Sequence, residues 1–173
     1  DATSGAYTDT RIDGNYCPWN WNGSSTPDCN STTLTNMTDE YGRLYNWYAV
    51  NDERGICMEG WDVPTMEEWT TLIDYLGGES IAGGKMKEVG DEHWESNIGA
   101  TNESGFTALG TGQHHRIGHE FTRFRKEAIF WTSLENDYES ALTIALKNSG
   151  VYIEWGVPAK NYGNAIRCLK SAP

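Results

Sequence analysis

Apolar positions recur with a helical period twice in the first half of the chain. Tyr41, Leu44, Tyr45 and Tyr48 stand at i, i+3, i+4 and i+7, the spacing that lines one face of an α-helix. Residues 52–55 close that segment with Asp, Glu, Arg and Gly. A second helix has a sharper start. Thr65 offers an N-cap hydroxyl, Glu68 three residues on completes a capping box, and Glu67 and Glu68 place negative charge where the helix dipole is positive. Trp69, Leu72, Ile73 and Leu76 form its apolar face, and Gly77-Gly78 supplies a left-handed stop. Beyond residue 100 the period shortens. Residues 105–109 alternate, and 128–132, 141–146, 151–155 and 165–169 read as further short strands. Short strands separated by irregular insertions assemble into an antiparallel sheet more readily than into βαβ units. The pattern predicts an α+β domain over residues 41–173, two helices first and a sheet after. Residues 1–40, rich in Asn, Thr, Ser, Gly and Asp, show no sustained periodicity. They read as a loop-rich extension packed on the domain, with Trp19 and Trp21 covering the core edge.

Charge narrows the partners. A net charge of −12 argues against nucleic acid, whose phosphates need clustered Lys and Arg. The densest basic stretch, His114-His115-Arg116 to His119 and then Arg123 to Lys126, is flanked by Glu120 and Glu127 and reads as a solvated loop. The three histidines imitate a metal cluster, but lie in a Gly-punctuated loop without an obvious fourth ligand. No apolar run approaches the ~20 residues of a membrane span.

Four cysteines suit two disulfides and an oxidising, extracytoplasmic setting, although four buried thiols are the alternative. Cys17 and Cys29 bracket a polar loop, while Cys57 and Cys168 stand far apart. No C-x-x-C or Cys/His zinc spacing occurs.

A string of landmarks runs through the chain: Tyr41-Gly42-Arg43-Leu44-Tyr45-x-Trp47, Gly60-Trp61-x-Val63-Pro64 with Glu68-Trp69, Lys85-Met86-Lys87, Ser104-Gly105-Phe106, Phe130-Trp131-Thr132-Ser133-x-Glu135 and Ile166-Arg167-Cys168-Leu169. In this order they resemble the major paralogous domain first noted in Fibrobacter succinogenes, from about Tyr41 to Lys170. Asp62 stands where that family has His, Met58 where it has Pro, and Gly110-Thr111 where it has Pro-Gly. The resemblance implies a C-type-lectin-like fold, two helices flanking short twisted antiparallel sheets, with a long Cys57–Cys168 bridge.

The same resemblance directs the functional expectation. Calcium-dependent sugar binding in that fold uses Glu-Pro-Asn or Gln-Pro-Asp plus Trp-Asn-Asp, oxygen ligands that suit a hard cation. Neither triplet occurs. The nearest approximations are Glu135-Asn136-Asp137 and Glu154-Trp155. Formylglycine-generating relatives oxidise a substrate through reactive cysteines, whereas the four thiols here read as bridges. The expectation is a protein that is not an enzyme and needs no cofactor or metal. After Trp131 the relatives often carry an Asn/Arg-rich tract, which retroelements rewrite in some lectin-fold proteins. Here the tract changes side-chain class from residue to residue, and Ile144 stands where an outer face would want a polar group. The expected ligand surface is therefore Asp137, Tyr138, Glu139, Thr143, Ile144, Tyr152, Glu154, Trp155, Val157, Tyr162 and Asn164. It would face a protein or glycan receptor, outside the cell, from a bacterial surface or a virion, as a monomer or an oligomer. The alternatives are an undiversified bacterial envelope adhesion or structural domain and a calcium-dependent carbohydrate binder.

Overall fold

Helical spacing from Tyr41 produces only fragments of helix. The computed structural model describes residues 39–115 and 120–171. Residues 39–41 are helical, and Gly42, at φ 75°, breaks the turn. Tyr45 then pairs with Asn164: its N–H donates to Asn164 O at 2.8 Å, and Asn164 N–H donates to Tyr45 O at 3.0 Å. That bridge uses the amide and carbonyl a continuous helix would need, so the expected long helix is corrected to α1, Trp47–Val50. Its N-cap Asn46 accepts from Ala49 N–H at 3.1 Å.

The capping signal at Thr65 is realised in full. After the two-residue strand β1, Trp61–Asp62, helix α2 spans Met66–Tyr75. Glu68 N–H donates to Thr65 Oγ1 at 3.2 Å, and Thr65 N–H donates to Glu68 Oε2 at 2.8 Å. Trp69 and Ile73 are buried, and Gly77 and Gly78 end the helix at φ 103° and 95°. Thr65→Ala is expected to cost about 1 kcal/mol, read as a lower urea midpoint at constant m-value. An unchanged midpoint would mean that packing of Trp69 and Ile73 alone holds the helix.

Helix α3, Glu79–Met86, follows at once although Gly83-Gly84 disfavours helix by propensity. A Cβ on Gly83 would stand 2.5 Å from Tyr152 O and 2.9 Å from Val151 O. The bare backbone of α3 therefore rests against residues 151–152, and Gly84 N–H donates to Val151 O at 2.9 Å.

The strands after residue 110 form small antiparallel sheets. β2, Gln113–His115, pairs with β3, Glu120–Thr122. The expected solvated basic loop is corrected here: His114 is buried in β2, its ring 4.8 Å from that of Phe121. β4 (Glu127–Glu135), β5 (Ala141–Lys147) and β6 (Ile153–Gly156) form a three-stranded sheet in that order. β7, Leu169–Lys170, pairs with β1. Cross-strand partners share a face, and the rows Phe130–Ile144–Trp155 and Ala128–Leu146–Ile153 join Leu44, Trp69, Ile73, Leu76 and Met86 in the main core. On the other face Trp131 packs with Trp47 and Ala141 and donates its indole N–H to Tyr45 O at 2.7 Å. Residues 105–109, expected as a strand, contribute only a bridge between Ala108 and Lys87, and of 165–169 only Leu169 enters a strand.

Cys57 is bonded to Cys168, with Cα atoms 5.8 Å apart. The Cys17–Cys29 pairing, Trp19, Trp21 and His119 lie outside the described residues. Among the described residues no helix is long and apolar enough to cross a membrane.

Candidate functional site

The turn between β4 and β5 is fixed by its own side chains. Asp137 Oδ1 accepts from Glu139 N–H at 2.9 Å and from Ser140 N–H at 2.8 Å. Hydrogen bonding from Ser140, then from Glu139, holds its carboxyl below the usual aspartate range. Asn136 Nδ2 donates to Asp137 Oδ2 and to Ser140 Oγ, both at 2.9 Å. Behind the turn stands Lys160, only 4% exposed. Its ammonium donates to Glu135 Oε1 and, at 3.1 Å, to Tyr138 O, and lies 4.7 Å from the Trp47 ring centre. Lys160 N–H donates to Glu139 O at 2.8 Å, and Ala141 N–H to Pro158 O at 3.2 Å. The segment 157–160 thus lies beside the turn. On this pinned support Tyr138 is 89% exposed, Val157 54% and Leu134 43%.

Of the expected surface residues, the structure brings Asp137, Tyr138, Glu139 and Val157 to this tip. Tyr152 immediately precedes β6 and Glu154 lies within it, in an ion pair with Lys147 at 2.5 Å. Tyr162 stands elsewhere, stacked on His115 with ring centres 4.4 Å apart. Trp155 packs against the main core and donates its indole N–H to Glu79 Oε1 on α3 at 2.6 Å.

Three expected surface residues are buried instead. Ile144 is in the main core between Phe130 and Trp155, Thr143 is buried opposite Trp131, and Asn164 accepts from Gln113 Nε2 at 2.9 Å while its backbone pairs with Tyr45. β5 is the central strand of its sheet, covered on both faces, so the expectation that Ile144 lies on an outer face is corrected. Lys160 and Leu134 escaped the sequence reading, because a lysine in a polar tract reads as solvated and Leu134 merely continues an apolar strand.

One group of metal-type ligands comes together among the described residues: Glu88, Glu92 and His93. His93 engages Glu88 through Nδ1 at 2.7 Å and Glu40 through Nε2 at 2.9 Å.

No curated protein and no solved structure matches the chain. A family match, in contrast, covers nearly all of it and carries the resemblance back from Tyr41 to the N-terminal region. Residues 3–170 match the Fibrobacter succinogenes major domain, and the chain belongs to that family.

Proposed function

We propose that this chain is a non-enzymatic binding module on a C-type-lectin-like scaffold, presenting its C-terminal tract to a protein or glycan receptor outside the cell. The observation that carries the reading is the tip itself: a nearly fully exposed Tyr138 on a turn whose neighbouring polar groups are tied to one another and to Lys160. An exposed tyrosine on a pinned turn offers large contact area at low entropic cost, and tyrosine is enriched among binding hot spots. The Cys57–Cys168 bridge suits an oxidising compartment and uses both described thiols, supporting a module without a thiol nucleophile. Retroelement diversification fits the tract only where side chains reach solvent, at Asp137–Glu139, Tyr152, Glu154, Val157 and Tyr162. It demands a near-identical template repeat whose differences fall at adenines; the surrounding nucleotide sequence decides that point.

Arrays of glycans and of cell-surface proteins, probed with the chain and its Tyr138→Ala variant, test the tip. Retention is expected to fall by about tenfold or more in the variant with the melting temperature unchanged. Equal retention of both proteins on every ligand bound would remove the tip from the interface.

A further inference from the structure

The turn that carries Tyr138 leaves its sheet irregularly. Along β4 and β5 the ladder pairs Trp131 with Thr143 and next Glu135 with Ala141, so residues 132–134 stand opposite Leu142 alone. A bulge bends its strand and leaves the extra residues out of the ladder. The ladder therefore does not set the direction in which the turn points. Nor do the side chains of Asp137 and Asn136, whose bonds run to Glu139, to Ser140 and to each other. They hold the shape of the turn and leave its orientation open.

Lys160 joins that turn to the body of the domain. Its backbone faces both ways: its N–H donates to Glu139 O at 2.8 Å, and its carbonyl accepts from Trp47 N–H at 2.9 Å. Its side chain repeats the connection. The ammonium donates to Tyr138 O at 3.1 Å and to Glu135 Oε1, and it lies 4.7 Å from the Trp47 ring centre. Trp47 is itself fixed. Its indole N–H donates to Thr132 O at 3.2 Å, and its ring packs with Trp131 and Ala141. A lysine offers three donors and no acceptor, and a buried ammonium is costly unless it is paired and hydrogen-bonded. At 4% exposure Lys160 depends on these contacts, and they run straight to the tip.

We propose that Lys160 is the positioning residue of the tip: by joining Tyr138 and Glu135 to the Trp47 ring, it holds Tyr138 in the pose that meets the receptor. The inference rests on the functional reading given above and adds to it a buried residue, outside the contact surface, that sets affinity. Holding the turn in place before the receptor arrives removes part of the ordering cost of binding. Lys160 thereby acts through Tyr138, and α1 becomes part of the support of a surface 91 residues further along the chain.

Amide exchange and array retention of the full chain test the proposal together. In Lys160→Met, exchange at Ala141 and at position 160, the amides that dock the turn on residues 139 and 158, is expected to speed by about tenfold. Ala108, whose N–H donates to Met86 O in the main core, should keep its rate. Glu135→Ala, at a half-exposed position, removes one anchor of the ammonium without opening the interior and should speed the same two amides severalfold. On any ligand the arrays retain, Lys160→Met should weaken retention by about tenfold. The double variant Lys160→Met/Tyr138→Ala should retain as well as Tyr138→Ala alone, because the two residues act as one unit. Losses that add in the double variant, full retention by Lys160→Met, or unchanged exchange at both amides in the two Lys160 and Glu135 variants would each overturn the assignment. If Tyr138→Ala by itself leaves retention intact, the tip reading fails, and the exchange rates still decide whether Lys160 docks the turn.

Discussion

Replacing Cys57 and Cys168 together by Ala is expected to lower the unfolding free energy by about 3–5 kcal/mol. The bridge spans 111 residues of sequence, and in the chain-entropy model a loop of roughly that length is worth about 5 kcal/mol. Little else holds the closing segment. β1 and β7 are two residues each, and Trp61 and Leu169 are exposed. At roughly 2–4 °C per kcal/mol for a chain of this size, the melting temperature should fall by about 10 °C. Amide exchange should speed first at Ser171, whose N–H donates to Gly60 O at 2.9 Å. A loss below about 1 kcal/mol, outside the range usual for native bridges, would mean that the unbridged ends are already held together by packing.

Local signals read well where the chain decides locally. Thr65 and Glu68 need only each other to start α2, and a glycine pair needs only its own backbone freedom to stop it, so that helix was legible to the residue. The Tyr41–Tyr48 spacing failed because a distant residue competes for the same backbone. Tyr45 pairs with Asn164, and no feature near Tyr45 announces that partner. Helix α3 was hidden for a related reason: Gly83 looks unfavourable until the carbonyls of Val151 and Tyr152 arrive against it. Propensity was overridden by a long-range contact in both cases.

The candidate surfaces show the same division. Tyr138, expected at the surface with the rest of its tract, is exposed. The burial of Ile144 was not legible, because a mixed tract does not reveal which strand is central to the sheet.

Lys87→Met is expected to cost about 3 kcal/mol at neutral pH, because three carbonyls lose their donor together. Lys87 is fully buried. Its ammonium donates to Ile98 O and Lys147 O at 3.0 Å and to Gly150 O at 2.8 Å, and lies 5.6 Å from the Trp94 ring centre. One side chain thus joins the loop after α3 to the turn between β5 and β6, a junction no apolar side chain can satisfy. Burial also pushes the ammonium down to about 8 from its ordinary 10.5. Below pH 8 both states carry the proton. Between 8 and 10.5 the unfolded chain binds a proton that the folded chain has released, so this group makes stability rise with pH across that window. Tyr41, raised to about 12 by burial, acts in the opposite sense above pH 10, where the unfolded phenol ionises first. The informative range is therefore pH 8 to 10. Urea unfolding there should show a rise in stability for the parent chain that Lys87→Met lacks. A parallel profile for the two proteins would mean that the three carbonyls keep the ammonium charged throughout and that its role is hydrogen bonding alone.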